Sequence, residues 1–129
     1  GNVLRHMPIE QEEHGKEAID KFIENVDLYA GTKKIIFVLD GERPSLYRKI
    51  DTAEETGSYW HIMRVYFKEK ALQNDFTVID MQGVFLDKYR ENNKKFEFGD
   101  IDGHWNDYGH RLVAEEIMKK GLFKEAARD

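Results

Sequence analysis

Asp100-Ile101-Asp102-Gly103-His104-Trp105-Asn106-Asp107-Tyr108-Gly109-His110 gathers three carboxylates, two imidazoles and two glycines in eleven positions. Within it, Asp102 and His104 stand at a spacing that suits acid–base chemistry. Where the backbone is extended, residues two apart lie on the same side of the chain, about 6–7 Å apart. From there a carboxylate can accept the Nδ1–H of the imidazole, fix its tautomer and leave Nε2 free as a base. Gly103 between them permits a turn that a side chain would resist. The pair supplies the acid and base of a Ser-His-Asp machine, without the serine. The plainer alternative is that Asp102 and His104 only brace a loop.

Other residues nearby admit other chemistry. Asp100, Asp102, His104, Asp107 and His110 carry enough oxygen and nitrogen ligands for Zn²⁺, Mn²⁺ or Mg²⁺, although their spacing matches no dedicated motif. Trp105 could line a sugar site with its aromatic face, or serve as half-buried core. Asn106 is placed to cap the helix that follows, with substrate lining as a second role, and Gly109 suits a tight approach. His110 falls on the first turn of that helix, at the surface or behind the pair. The chain has two serines, Ser45 and Ser58. Ser45 follows a predicted strand, but Pro44 and the loop before it are unlike the strained elbow that exposes a nucleophile. His14, among acids on one helix, and His61, beside Trp60 on another, read as structural or surface residues.

Composition narrows the classes. The 129 residues are 40% hydrophobic and 35% charged, as in a globular domain with a heavily charged surface. A net charge of −5 argues against a nucleic-acid footprint and against an anionic-membrane binder. With no cysteine, disulfides, zinc–thiolate sites and thiol nucleophiles are excluded, while the compartment stays open. No apolar run approaches the roughly 20 residues that span a bilayer. Residues 1–7, opening Gly1-Asn2-Val3 and ending His6-Met7, read as a tag remnant ahead of a domain over 8–129.

The elements that must position the pair follow from periodicity. Ala18, Ile19, Phe22, Ile23, Val26 and Ala30 predict a helix from Pro8 to Ala30, stopped by Gly31. Ile35 to Leu39 is an uninterrupted apolar run, expected as a strand buried on both faces of a parallel sheet. Asp40 to Pro44 forms the loop at its C-terminal end, where open α/β sheets place their sites. A short helix is expected over 45–50, then an acidic loop to Gly57. Tyr59, Ile62, Met63, Tyr66, Phe67 and Ala71 predict a helix broken by Asn74-Asp75. Phe76 to Met81 reads as a second strand. Val84, Phe85 and Tyr89 mark a further helix that dissolves into the polar run 91–95. The last helix is expected to turn Val113, Ala114, Ile117 and Met118 inward. This alternation argues for an α/β domain with helices on both faces of a parallel sheet.

The segment Asp102-Gly103-His104-Trp105-Asn106, with Gly109-His110 and the Leu112-Val113-Ala114-Glu115-Glu116-Ile117 helix, resembles the last conserved block of the SGNH, or GDSL, hydrolase superfamily. In that family a catalytic Asp and His stand two or three residues apart, just before the C-terminal helix. Three-residue spacing would place the Asp on Ile101, so the resemblance selects Asp102, with Asp100 as a substitute. It is tightest over residues 96–117 and closest to carbohydrate-modifying branches, the O-acetyltransferases and O-acetylesterases related to alginate acetylation proteins. The family's Gly-Asp-Ser, Gly and Asn blocks have no counterpart here: the single Gly-Asp, Gly99-Asp100, leads to Ile101.

The resemblance implies a three-layer α/β/α, flavodoxin-like domain of which this chain is the C-terminal part. It further implies a serine esterase or acyltransferase acting on acyl esters, such as O-acetyl groups of a polysaccharide or glycan. His104 would be the base, Asp102 its orienter, and the serine would lie upstream; no cofactor is implied. The alternatives are a degenerate domain of this type that binds a glycan or protein partner, and a metal-dependent hydrolase using the Asp/His cluster. The compartment of the parent protein stays open, with a lean toward a bacterial envelope or secreted location.

Overall fold

The computed structural model describes residues 8–48 and 57–120. Residues 1–7, expected as a remnant ahead of the domain, the end of the helix expected over 45–50 and the acidic loop expected up to Gly57 fall at least partly outside them. The order is α1 (Ile9–Ala30), β1 (Ile36–Leu39), α2 (Arg43–Tyr47), α3 (Tyr59–Gln73), β2 (Thr77–Asp80), α4 (Met81–Asn92) and α5 (Asp107–Lys119). β1 and β2 pair in parallel as a two-stranded sheet, so the chain is mixed α/β. The chain divides into two compact units, Gly1–Phe37 with Lys49–Val78 and Val38–Arg48 with Ile79–Asp129.

In the first unit α1 packs against α3. Glu10 and Glu12 sit in the first turn of α1, favourably placed for the helix dipole, and Gly31 ends it at φ +60°. Ile23, Ala71 and Phe76 form the core, with Ile19, Val26, Ile35, Phe37, Phe67 and Val78 packed around them. The ring of Phe37 meets Phe67 and Phe76 edge-on, with centroids 5.1 and 5.5 Å apart. Ser58 caps α3, its Oγ accepting from the His61 N–H. The far end of α3 closes in a Schellman motif: Phe76 N–H donates to the Ala71 carbonyl and Asp75 N–H to that of Leu72, with Asp75 at φ +61°. Because Phe76 and Ala71 are also core residues, the same two residues close the turn with their backbones and fill the core with their side chains. Tyr66 donates to Asp20 at 2.7 Å, and that bond pushes its phenol up to about 12.

Three expectations need correction here and in the second unit. β1 is half-buried along its whole length, not buried on both faces. Among the described residues only β2 pairs with it, so part of its apolar surface stays uncovered. α2 starts at Arg43, two residues early, because Pro44 fits the first turn of a helix, where its missing N–H costs nothing. α4 starts at Met81, directly after β2: Asp80 ends the strand and caps the helix, its Oδ1 accepting from Gln82 N–H.

The core of the second unit is Leu46, Ile79, Met81, Phe85, Phe96, Leu112 and Val113. Phe96 is its centre, stacked on Phe85 at 4.3 Å and on Tyr108 at 5.5 Å. The inward face of α5 also differs from expectation. Gly109, Leu112 and Val113 are buried, whereas Ala114 is exposed and Met118 is 55% exposed. A Cβ at Gly109 would lie 2.6 Å from the Phe96 carbonyl oxygen. Only glycine lets α5 approach that backbone, and the approach rotates the Gly109–Leu112–Val113 stripe inward.

Candidate functional site

The candidate pair is carried on a short hairpin, residues 96–106, that leads into α5. Glu97 and Trp105 face each other in an antiparallel bridge. The Asn106 N–H donates to the Phe96 carbonyl, Phe98 N–H to that of His104, and Gly99 N–H to that of Asp102. Buried Phe96 anchors the base of this hairpin, and its tip stands in solvent, with Ile101 and Phe98 both exposed.

At the tip Asp102 Oδ1 lies 2.6 Å from His104 Nδ1 and also accepts the His104 backbone N–H at 3.0 Å. The backbone bond first, and then the ring, hold the Asp102 carboxyl below the usual aspartate range. With Nδ1 engaged, the proton-accepting nitrogen is Nε2. The His104 side chain is 92% exposed, so that nitrogen faces water. The sequence spacing therefore brings together the two residues it singled out. Their contact is made by one carboxylate oxygen gripping both the ring and the backbone of the histidine.

Asn106 caps α5, its Oδ1 accepting from the Gly109 N–H, while its Nδ2 donates to the carbonyls of Lys95 and Glu97. Both N–H groups of its amide and one lone pair of its oxygen thus go to the backbone, as the expected capping role requires. Trp105 is half-buried, edge-on to His110 at 5.5 Å and to Phe85 at 6.5 Å. Its Nε1 is buried and, among the described residues, has no hydrogen-bond partner. Asp107 sits in the first turn of α5, where a negative charge suits the helix dipole. His110 is exposed, with its ring against Trp105.

Of Asp100, Asp102, His104, Asp107 and His110, only Asp102 and His104 are brought into contact. Among the described residues no group of three or more His, Asp or Glu side chains could hold a metal ion. No serine hydroxyl among them is hydrogen-bonded to His104: Ser58 is occupied as the cap of α3, and Ser45 lies inside α2. No helix of the described residues is long and apolar enough to cross a membrane.

The sequence reading missed the charged cluster beneath the hairpin. Arg43, at the start of α2, donates through Nη1 to Glu97 at 2.9 Å and through Nη2 to Asp40 at 2.9 Å and to the Gly103 carbonyl at 2.7 Å. Tyr47 donates to the same Glu97 oxygen at 2.6 Å and accepts the Phe96 N–H. Burial, then the bond to Glu97, raises the Tyr47 phenol above its ordinary value. Arg43 stands 54 residues from Glu97 and 60 from Gly103 in the chain, a separation that no local pattern reports. The one available signal was its place in the loop after a strand of an α/β sheet.

No family model, curated protein or solved structure matches this chain.

Proposed function

We propose that this domain is the C-terminal part of an SGNH-type serine esterase or acyltransferase, supplying the base and its orienting acid to a serine upstream in the same polypeptide. On this reading β1 and β2 belong to a larger parallel sheet in a three-layer, flavodoxin-like domain. The reading is carried by the 2.6 Å contact of Asp102 Oδ1 with His104 Nδ1, on a hairpin leading into the last helix, with Nε2 open to solvent. The substrate class is an acyl ester, and carbohydrate O-acetyl groups fit the resemblance of residues 96–117.

The chemistry follows from that contact. The serine oxygen attacks the ester carbonyl carbon while His104 Nε2 takes its proton. Asp102 steadies the imidazolium through Nδ1–H. The tetrahedral intermediate collapses, the C–O bond to the leaving alcohol breaks, and His104 returns the proton to that alcohol. Water or a sugar hydroxyl, deprotonated by His104, then attacks the acyl carbon; the second intermediate collapses, the C–O bond to the serine breaks, and His104 returns the proton to the serine oxygen. A base of this kind contributes about 10²- to 10⁴-fold.

In the full-length protein His104→Ala should abolish ester turnover without unfolding the domain. Activity within about tenfold of the parent refutes the assignment, given the size of a base's contribution. Fluorophosphonate labelling of the present chain, read by intact mass, tests the serine: a stoichiometric adduct on Ser45 or Ser58 refutes an upstream nucleophile. The 92% exposure of His104 also suits a second reading, in which a degenerate domain of the same type binds a glycan or protein partner through this face. An inactive full-length protein that still binds a glycan would favour it.

A further inference from the structure

We propose that Arg43 is the positioning residue of the Asp102–His104 pair, clamping the peptide between Gly103 and His104 so that Asp102 can hold the imidazole. The two ends of that peptide are bound from opposite sides. Its carbonyl oxygen, on Gly103, accepts from Arg43 Nη2 at 2.7 Å. Its N–H, on His104, donates to Asp102 Oδ1 at 3.0 Å. In a trans peptide the C=O and N–H point in opposite directions, so fixing the oxygen fixes the direction of the N–H. Arg43 therefore aims the very N–H that seats the Asp102 carboxylate, and the same carboxylate oxygen then meets His104 Nδ1 at 2.6 Å.

Among the described residues the Gly103 carbonyl has no other hydrogen bond, and the hairpin bonds from Gly99 N–H to the Asp102 carbonyl and from Phe98 N–H to that of His104 hold only the peptides on either side. Asp102, Gly103 and His104 are all exposed, and a Cβ at Gly103 would meet no atom within 4 Å. A glycine in open space has the widest conformational choice of any residue. Arg43 itself is well fixed: its side chain is 16% exposed and that of its partner Glu97 13%. Three acceptors, on Asp40, Glu97 and Gly103, are served by two separate nitrogens of a planar fork. A lysine carries the same charge but a single nitrogen, and cannot reproduce that geometry. The inference rests on the pair and not on the esterase reading, and holds whatever reaction the pair serves.

The test is an NMR titration of the chain, isotope-labelled, as wild type, Arg43→Lys, Arg43→Gln and Tyr47→Phe. Two signals are read: the titration midpoint of the Asp102 carboxyl carbon and the chemical shift of the His104 amide. The titratable groups on and beneath the turn include Asp40, Glu97, Asp100, Asp102 and His104, and Arg43→Lys keeps the formal charge facing them. Both Arg43 variants should raise the Asp102 midpoint toward that of a free aspartate and move the His104 amide upfield, as its bond to Asp102 is lost. Tyr47→Phe removes the bond to Glu97 and the acceptor of the Phe96 N–H without touching Gly103, and should leave both signals in place. Retained amide dispersion at Phe85 and Phe96 identifies the variants that fold. A folded Arg43→Lys with both signals at wild-type positions overturns the proposal. So does an Arg43→Gln whose midpoint rises while the His104 amide stays, since that is loss of charge alone. Equal shifts in Tyr47→Phe also overturn it, as general loosening of the cluster.

Discussion

Replacing Asn106 separates the work of one side chain into parts that can be measured. Its Oδ1 caps α5 through the Gly109 N–H at 2.9 Å, and its Nδ2 ties the Lys95 and Glu97 carbonyls, each at 3.0 Å. Loss of an N-cap side chain costs about 1 kcal/mol. A typical intramolecular hydrogen bond contributes about 0.5–1.5 kcal/mol, with the exposed bond to Lys95 at the lower end. Asn106→Ala should therefore destabilise the chain by roughly 2–3 kcal/mol. Asn106→Ser keeps a capping oxygen but not the two donors, and should cost about 1–2 kcal/mol. Asn106→Asp also keeps the cap, but sets a carboxylate against two carbonyl oxygens, so it should cost at least as much as the serine. Urea unfolding followed by circular dichroism gives the ranking from midpoints at constant m-value. An alanine variant within about 0.5 kcal/mol of wild type would refute the reasoning, since that is the scatter of an ordinary surface substitution. A serine as damaging as alanine would show that the cap contributes nothing. The consequence reaches the site, because the clamped hairpin is the one that carries Asp102 and His104.

Further outcomes follow from single contacts. Gly109→Ala adds a Cβ 2.6 Å from the Phe96 carbonyl oxygen, and the overpacking, about 1–3 kcal/mol, should exceed the gain in helix propensity of about 1 kcal/mol. A raised melting temperature would contradict that close approach. Phe96→Ala should cost about 3–5 kcal/mol, since the ring is fully buried between Phe85 and Tyr108; a loss within about 0.5 kcal/mol, the scatter of a surface change, would mean the hairpin is not anchored there. Asp75→Gly, at φ +61°, should stabilise the end of α3 by about 0.5–1 kcal/mol, whereas Asp75→Val should destabilise it, both read by thermal melts. Asp102 is depressed in the folded state, so its contribution to stability is full above the ordinary aspartate value of about 3.9. That contribution falls away as the pH drops through the depressed value. Asp102→Asn should remove that part of the acid-unfolding curve, and an unchanged curve would deny the contact with His104.

The local elements were legible in the amino-acid sequence because each is written in adjacent residues. Periodic apolar positions and Gly31 determine α1, Asn74-Asp75 ends α3, and Asn106 caps α5. The one-residue separation of Asp102 and His104 already contained their pairing, because reach across a single glycine is a matter of backbone geometry. Boundaries were legible only in part. Pro44 drew α2 two residues forward, and Asp80 acts at once as the end of a strand and the cap of a helix.

What depended on distant packing was decided by tertiary structure alone. The inward face of α5 rotated away from Ala114 and Met118 because the backbone at Gly109 presses on Phe96, thirteen residues earlier in the sequence. The half-burial of β1 depends on how many strands lie beside it, which its own apolar composition does not state. The support beneath the candidate pair joins Arg43, Tyr47 and Asp40 to Glu97 and Gly103 across 50 residues or more. Sequence spacing determines what neighbours along the chain can reach. Only the fold determines which charged side chain is brought from far away to hold the peptide on which the candidate pair depends.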